Sequence, residues 1–268
     1  MGSKMQYETL LVQKSEETAT VTLNRPQILN ALNTQFFFEF KDLLTKLRGD
    51  ESIRFVIFTG AGRAFSCGVD FSKESLKERY ANTDLNNERQ WQLFGHDFMH
   101  AMENLEQVTI AAINGPAVGA GLCLAMNCDF RIASEAAIIG IPEANLGLFF
   151  TWGATPRLCA LIGPAKTKEM IMTCDNINAQ EALKIGLVNQ VVGKHELMDA
   201  CLKLAGKIAT KGPLAVRMCK KIVNAATLSR YADLYVCEPE LVERIMSSGE
   251  FDKGLQAFHQ KVKPDFSD

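Results

Sequence analysis

The first part of the chain alternates between short patterns typical of strands and a longer pattern typical of a helix. Residues 7–12 and 19–23 alternate apolar and polar side chains, and the polar residues between them predict a hairpin. Pro26 ends the second strand, because proline cannot donate a hydrogen bond to a sheet. Asn33 or Thr34 then caps a predicted helix. Its apolar positions recur every three or four residues: Phe37, Phe40, Leu43, Leu44 and Leu47.

Four further apolar runs predict strands. Those at residues 55–59 and 108–113 are long enough for buried strands, and shorter strands are expected at 130–133 and 137–141. Residues 72–87 differ from these runs because they are polar and lack a clear period. We expect that segment to form a mobile loop.

The second half of the chain is mostly helical in pattern. Residues 88–105 space their apolar side chains as one helix, and helical patterns prevail after Pro156. A brief strand is expected at 187–192. Pro239 lacks a backbone donor, so we expect it to kink or divide a late helix near Glu238.

This order of elements predicts an α/β fold with two parts. Strand–strand–helix units recur through residues 5–192, which indicates a spiral of such units rather than a flat dinucleotide-binding sheet. Residues 193–268 form a predicted helical tail.

Composition and charge exclude several classes of protein. The 268 residues are 47% hydrophobic with a formal net charge of −2, and no cluster of Lys and Arg marks a nucleic-acid interface. No apolar run is long enough to span a membrane. The eight cysteines form no C-x-x-C pair, which is typical of free thiols in a reducing compartment. We therefore expect a cytoplasmic protein without a metal site.

A glycine-rich segment leads from a predicted strand into a predicted helix. Gly115, Gly119 and Gly121 let the backbone approach a ligand, and the first amides of a helix have no partner within it. Such a turn suits an anion or an oxyanion, and a tight packing turn is the alternative. Residues 64–70 follow another strand with a similar mixture of small residues, so an amide there could face the amide near Ala120.

Glu143 follows Pro142 in a segment whose neighbours are mostly apolar. Burial disfavours the charged form of a carboxyl group and raises its affinity for a proton. A group held in this way can act as a general acid or base near neutral pH. On the local sequence alone, an exposed glutamate in a turn is the simpler interpretation.

Together these segments resemble the crotonase superfamily, the enoyl-CoA hydratases and isomerases. The resemblance covers nearly the whole chain, and the order and spacing of the motifs make it specific. The matching segments, in chain order, are residues 23–26, 30–32, 64–70, 114–129, 142–147, 186–188 and 253–261. The resemblance implies a crotonase-type spiral that binds acyl-CoA over residues 5–192 and a trimerisation tail over 193–268.

The resemblance also implies a catalytic site. The backbone amides of Val69 and Ala120 would form an oxyanion hole, and Glu143 would carry the proton. One oxyanion donor contributes roughly a hundred- to a thousand-fold in rate. The implied substrate is an acyl-CoA thioester, with no cofactor beyond the coenzyme A that the substrate carries.

Contacts to coenzyme A and between subunits are implied in the same way. The carbonyls of Cys67 and Val69 are expected near the adenine. Phe258 and Lys261, from the tail of a neighbouring subunit, are expected near the phosphates and pantetheine. We therefore expect a homotrimer or a pair of trimers. The apolar tail positions that would need a partner are Leu234, Val236, Leu241, Ile245 and Met246.

Cys123 departs from the family pattern. Hydratases of the family usually carry two glutamates, one at the position of Cys123 and one at that of Glu143. A single carboxylate can still move a proton between the α- and γ-carbons of an enoyl thioester, so the residues favour an isomerase that converts 3-enoyl-CoA to 2-enoyl-CoA. A one-glutamate 2-enoyl-CoA hydratase is the alternative, and a non-catalytic acyl-CoA-binding protein is the second alternative. Cys123 itself is expected to be a buried structural thiol.

Aromatic residues define a predicted acyl pocket. The run from Phe149 to Trp152 either packs in the core or narrows the pocket for a short or cyclic acyl group. The predicted pocket residues are Trp91, Phe94, Cys123, Phe149, Phe150 and Trp152. Aryl-CoA dehalogenases fit less well, because Thr151 stands in place of their aspartate nucleophile, although His96 falls where their histidine lies.

Overall fold

The computed structural model describes residues 7–81, 88–228 and 232–266, over which strands and helices alternate. In chain order, the strands are β1 (Leu10–Ser15), β2 (Thr18–Leu23), β3 (Phe55–Gly60), β4 (Val108–Ile113), β5 (Ala117–Val118), β6 (Phe130–Ser134), β7 (Ile138–Gly140), β8 (Ile177–Asn178) and β9 (Gln190–Val192). The helices are α1 (Thr34–Arg48), α2 (Lys73–Ala81), α3 (Glu88–Glu103), α4 (Ala120–Met126), α5 (Ala154–Ile162), α6 (Pro164–Thr173), α7 (Ala179–Lys184), α8 (Leu197–Ala209), α9 (Pro213–Leu228), α10 (Ala232–Ser248) and α11 (Glu250–Gln260).

The larger of the two sheets has the strand order β1-β2-β3-β4-β6-β9. Its first two strands are an antiparallel pair, and the later neighbours are parallel. The carboxyl ends of β2, β3 and β4 therefore meet at one edge, where ligands bind in open parallel sheets. The smaller sheet, β5-β7-β8, pairs Val118 with Gly140. This pairing brings the glycine-rich turn before α4 beside the segment that leads to Glu143.

Both faces of the larger sheet are covered, which explains the nearly continuous apolar runs in its parallel strands. In β3, Val56 and Phe58 belong to the main core with α1 and α3. Phe55 and Ile57 belong to a second cluster, where α8 packs on the opposite face. Alternation along one strand thus divides its side chains between two cores.

Helix α1 is defined by its cap and its apolar face. The side chain of Asn33 accepts a hydrogen bond from the Phe36 amide at 3.0 Å, so Asn33 is the cap and Thr34 the first helical residue. Phe40 is fully buried, and its ring centroid lies 5.0 Å from that of Phe98 on α3. Aromatic packing therefore holds α1 against α3.

The helical tail folds back over its own chain. α10 packs on α3, and α11 packs on the short 3₁₀ turn Glu143–Leu146. A Cβ atom at Gly254 of α11 would lie 2.4 Å from the carbonyl carbon of Leu146, so this approach requires glycine. Among the side chains described on α9, residues 213–227, none is buried.

Two local predictions are wrong. Residues 73–81 form helix α2 instead of a loop, because the Ser72 hydroxyl accepts a hydrogen bond from the Ser75 amide at 3.3 Å and caps the first turn. The rest of that predicted loop, residues 82–87, lies outside the described residues. Pro239 lies inside α10 and does not divide it, since packing on α3 outweighs the single helical hydrogen bond that proline removes. The alternative, a kink near Glu238, stays a prediction.

Other predictions hold with changed boundaries. The predicted α/β fold class is confirmed, the first strand begins at Leu10, and the predicted strand at 187–192 is limited to β9. The short strand β8 lies in a stretch that the sequence predicts to be helical. All eight cysteines are free thiols. None of the helices in the described ranges is both long and apolar enough to cross a membrane.

Candidate active site

Two loops at the end of β3 and β4 run side by side and hydrogen-bond to each other. The amides of Phe65 and Ser66 donate to the carbonyl of Pro116 at 3.0 and 3.1 Å, and the Val118 amide donates to the Ser66 carbonyl at 2.9 Å. Ser66 and Ala117 form a parallel bridge at this point. The backbone itself therefore fixes the loop after β3 against the turn before α4.

The amides of Val69 and Ala120 lie on these two loops and are available to a ligand. Within the described part of the chain, neither amide donates a hydrogen bond. Ala120 begins α4, so its amide has no partner within the helix. A Cβ atom at Gly68, whose φ is +93°, would lie 3.4 Å from the Ala120 nitrogen and 2.9 Å from the Val118 carbonyl oxygen. Glycine at this position thus permits the two loops to meet.

Glu143 stands at the start of the 3₁₀ turn and lies over the second loop. The Gly119 amide donates to the Gly140 carbonyl at 3.0 Å, which joins the loop to the end of β7. A Cβ atom at Gly119, whose φ is +54°, would lie 2.7 Å from Glu143 Oε1. The carboxyl group is therefore in contact with the residue that precedes the free Ala120 amide.

Burial controls the charge of Glu143. Its Oε2 is withdrawn from solvent and has no hydrogen-bond partner among the described residues. Burial raises the pKa of Glu143 from 4.5 to about 8, against a smaller opposing effect of its own backbone amide. The site thus holds a carboxyl group that gains or loses a proton near neutral pH.

The other carboxylates that line the same cavity are neutralised by arginines. Asp70 Oδ2 lies 3.0 Å from Arg25 Nη1, and Glu88 forms an ion pair with Arg79. Among the carboxylates that line the described cavity, only Glu143 has no cation beside it. This contrast distinguishes Glu143 as the group free to exchange protons.

Cys123 is a neutral neighbour of Glu143. Burial raises the pKa of the Cys123 thiol well above its usual value, and the charge of Glu143 raises it further. A thiol held in its protonated form is a poor nucleophile. The structure thus agrees with the prediction of a buried structural thiol.

The predicted residues surround a cavity of about 390 Å³ that reaches both loops and Glu143. Ten predicted positions line it: Cys67, Val69, Trp91, Ala120, Cys123, Glu143, Phe149, Phe150, Trp152 and Phe258. Phe94 was predicted to line it but stacks behind the wall, with its ring centroid 6.1 Å from that of Trp91. Lys261 ends α11 and is not a cavity residue.

Phe258 lines the cavity of its own chain. Its expected place near the coenzyme A bound by a neighbouring subunit stays a prediction. Its ring centroid lies 6.4 Å from that of Phe71, and the Phe71 centroid lies 6.1 Å from that of Phe251. The His259 ring is hydrogen-bonded to the Phe71 carbonyl at 2.8 Å. Helix α11 is thereby attached to the loop after β3.

Sequence reasoning missed three polar residues in the cavity wall. Arg79, Glu88 and Gln92 lie on α2 and α3 and line the cavity. Arg79 was missed because residues 72–87 were interpreted as a loop. Glu88 and Gln92 lie in the helix predicted at 88–105, from which only aromatic residues were assigned to the pocket. The helix-capping pattern of Ser72 followed by Glu74 is the signal that could have identified α2.

His96 links three elements behind the cavity. His96 Nε2 lies 2.8 Å from Glu238 Oε2, and that oxygen also accepts a hydrogen bond from the Gly153 amide at 3.0 Å. These contacts join α3, α10 and the turn that follows Trp152. Thr151 lines the cavity with a hydroxyl group, so the aspartate nucleophile of the dehalogenases has no counterpart at this position.

No cluster of metal ligands accompanies the site. In the described ranges, no three His, Cys, Asp or Glu side chains gather in a way that could hold a metal ion.

This fold and site define a class of acyl-CoA enzymes, and comparison with known proteins agrees. Residues 13–268 match the family described as "Enoyl-CoA hydratase/isomerase". A protein of Syntrophomonas wolfei named crotonyl-CoA hydratase is 37% identical over 98% of this chain and 99% of its own length. The chain belongs to the enoyl-CoA hydratase/isomerase family and is an acyl-CoA enzyme of the hydratase or isomerase type.

Solved structures of both types are similar to this chain. An enoyl-CoA hydratase from Mycobacterium avium subsp. paratuberculosis aligns with a TM-score of 0.85 and 27% identity, covering 98% of this chain and all of its own. A monofunctional enoyl-CoA isomerase from M. smegmatis aligns with a TM-score of 0.69 and 30% identity, covering 82% of this chain and 93% of its own. The predicted crotonase fold is confirmed, and similarity alone does not separate the two reactions.

The raised pKa of Glu143 predicts a pH-dependent effect of Glu143→Gln on stability. Between the unfolded pKa near 4.5 and the folded pKa of about 8, the unfolded chain ionises Glu143 while the folded chain keeps it protonated. This carboxyl group therefore costs stability progressively as pH rises through that window. We expect Glu143→Gln to unfold at a higher denaturant concentration than the wild type. Near the upper end of this pH window, its free energy of unfolding should be higher by roughly 2–4 kcal/mol.

Denaturant titrations at several pH values between the two limits measure this difference. Glu135→Gln, at an exposed position, is the matched control and should show a much smaller change. If Glu143→Gln raises the free energy of unfolding by the same amount at every pH, the carboxyl group is not buried as described.

Proposed function

We propose that this protein moves the double bond of an enoyl-CoA thioester from the 3-position to the 2-position. The observation that carries this proposal is a single buried carboxyl group, without a neighbouring cation, beside two free backbone amides on facing loops. Arg25 and Arg79 neutralise the other carboxylates of the cavity, so only Glu143 is suited to exchange protons. One mobile proton is sufficient for a double-bond shift.

In the proposed reaction, the two amides bind the thioester oxygen, and Glu143 first removes a proton and then returns it. The thioester oxygen accepts hydrogen bonds from the amides of Val69 and Ala120. The Glu143 carboxylate removes a proton from the α-carbon, and the electron pair of that bond forms an enolate whose charge lies on the thioester oxygen. Glu143 then returns the proton to the γ-carbon of the dienolate, while the double bond moves to the α- and β-carbons.

A hydratase is the second candidate, and it is favoured by relatives that are named as hydratases. In that reaction Glu143 takes a proton from water as the oxygen attacks the β-carbon of a 2-enoyl thioester, and then delivers the proton to the α-carbon. The same two amides would stabilise the intermediate. Cys123 argues against this candidate, since a protonated thiol orients water less well than a second carboxylate.

Binding of coenzyme A is proposed along the side of the cavity that α11 closes. Cys67, Val69 and Phe258 line the cavity there and are proposed to contact the pantetheine or adenine. Lys261 is proposed to reach the phosphates only outside the cavity, from the end of α11. No cofactor other than the coenzyme A of the substrate is proposed, and free thiols support a cytoplasmic location.

We propose a homotrimer or a pair of trimers, with α9 at the contact. Leu214, Met218 and Ile222 are spaced four residues apart on one face and are 67%, 40% and 69% exposed. Such an unpaired apolar stripe indicates an interface between proteins. The predicted contact residues lie elsewhere: the side chains of Leu234 and Val236 fall outside the described residues, and Ile245 is half-buried within its chain.

Two of those predicted contact residues have defined surroundings. Leu241 is 48% exposed and remains available to a partner. Met246 lines the cavity of its own chain, and its contact with a neighbouring subunit stays a prediction.

The first prediction from the proposed function concerns the reaction and its pH dependence. With a 3-enoyl-CoA, we expect the absorbance of the conjugated 2-enoyl product to rise, and kcat/KM to fall tenfold for each pH unit below about 8, because the carboxylate is the active form. Glu143→Gln should lower the rate by roughly a hundred- to ten-thousand-fold.

The same assay separates the alternatives. Loss of absorbance from a 2-enoyl-CoA, without turnover of the 3-enoyl-CoA, identifies a hydratase. Binding of both thioesters without any change identifies an acyl-CoA-binding protein. Full activity of Glu143→Gln would remove Glu143 from the mechanism.

The second prediction concerns Cys123. Cys123→Glu adds a second carboxyl group beside Glu143 and should raise hydration of a 2-enoyl-CoA by at least about tenfold. Cys123→Gln is the matched control, because it has the same size and lacks the acid. Equal hydration by the two variants, each shown by thermal unfolding to be folded, would mean that the missing acid does not limit hydration.

The third prediction concerns the oligomer. Ile222→Asp places a charge in the exposed apolar stripe of α9 and should weaken the contact between subunits. The mass measured by light scattering after gel filtration should then fall to that of a smaller oligomer or a monomer. Lys221→Asp, one residue away and already charged, should keep the wild-type mass. An unchanged mass for Ile222→Asp would exclude this face as the interface.

A further inference from the structure

Part of the cavity wall carries polar groups that have no role in the proposed double-bond shift. Arg79 and Gln92 line the cavity and are only 4% and 6% exposed. Each has a buried polar atom with no hydrogen-bond partner among the described residues, Nε of Arg79 and Oε1 of Gln92. Buried polar atoms are normally paired, so two unpaired atoms in one cavity wall indicate that a ligand supplies their partners.

The position of the Arg79 guanidinium group is fixed by its neighbours. Its central carbon lies 4.5 Å from the centroid of the Tyr80 ring and 5.0 Å from that of Trp91. One terminal nitrogen donates to the hydroxyl of Tyr80 and to the carboxylate of Glu88. Glu88 therefore balances the charge of Arg79, while the Nε–H remains available as a donor.

Gln92 supplies the complementary group. It follows Trp91 on α3, and its free Oε1 can only accept a hydrogen bond. The Trp91 ring makes an edge contact with Trp152, with centroids 5.5 Å apart, so apolar rings adjoin this polar region.

We propose that the acyl group of the substrate carries a hydroxyl substituent, which binds between Arg79 and Gln92. This inference rests on the proposed acyl-CoA function and names its substrate class. A hydroxyl group accepts from the Arg79 Nε–H and donates to Gln92 Oε1, whereas a methyl group leaves both atoms unpaired. A carboxylate cannot donate to Gln92, and it would approach the negative charge of Glu88.

Three enoyl-CoA thioesters of equal chain length test the proposal, ending in a hydroxyl, a methyl or a carboxylate group. We expect wild-type kcat/KM to be at least about tenfold higher for the hydroxyl than for the methyl thioester, because a site built to hydrogen-bond a hydroxyl rejects the analogue that lacks it. Gln92→Leu should remove most of that preference. Gln190→Leu, at an exposed position on β9, should leave it unchanged.

Each outcome decides the matter. Equal or lower kcat/KM for the hydroxyl thioester, with turnover of the methyl one, overturns this inference and leaves the proposed function standing. A higher kcat/KM for the carboxylate thioester than for the hydroxyl one overturns the proposal that the substituent is a neutral hydroxyl group. If no thioester reacts, the proposed function fails. The dissociation constants of saturated acyl-CoAs that end in a hydroxyl or a methyl group then test the polar subsite. Tighter binding of the hydroxyl form supports the subsite, and equal binding rejects it.

Discussion

The candidate site depends on the parallel backbone pairing between the loop after β3 and the turn before α4. The carbonyl of Pro116 accepts from Phe65 and Ser66, and the carbonyl of Ser66 accepts from Val118, so the two loops cannot separate without losing several buried hydrogen bonds. The amides of Val69 and Ala120, two residues that line the cavity, donate no hydrogen bond within the described part of the chain. Because backbone atoms make the site, the side chain of Val69 can vary without changing the donor that it carries.

The same close approach sets the chemistry of Glu143. Gly119 joins the second loop to β7 through Gly140, and it has no side chain that would push the carboxyl group away. The carboxyl group is consequently enclosed, and its pKa rises to about 8. Enclosure costs stability, since an ionisable group is buried with an oxygen unpaired. The other two carboxylates of the cavity wall are each neutralised by an arginine, so Glu143 is the exception among them.

Sequence reasoning succeeded where a residue's role follows from its immediate neighbours along the chain. The apolar runs of β3 and β4 and the glycines of the two loops have local patterns. Glu143 does not, because the local sequence alone suggested an exposed glutamate in a turn and only the family resemblance singled it out. Sequence reasoning failed where the role follows from tertiary contacts. Helix α2 has a weak apolar face and is stabilised by its cap and by the contact of Arg79 with Trp91, so its polar composition suggested a loop. The side of the cavity that Phe258 closes, and the position of Phe94 behind Trp91, depend on packing that no local pattern encodes.

The choice between a double-bond shift and hydration comes down to the second proton carrier. Both reactions pass through a thioester enolate, so the two amides serve them equally and cannot decide between them. Hydration needs a group that holds water against the β-carbon, and a double-bond shift needs that space to be free of water. Cys123 is buried, and burial and the charge of Glu143 both raise the pKa of its thiol, which keeps the thiol protonated. It therefore behaves as a small apolar side chain at the position where hydratases carry a second glutamate. A cavity with a thiol at this position and Glu143 as its one unpaired carboxyl group therefore supports the proposed double-bond shift, in which the proton goes back to carbon.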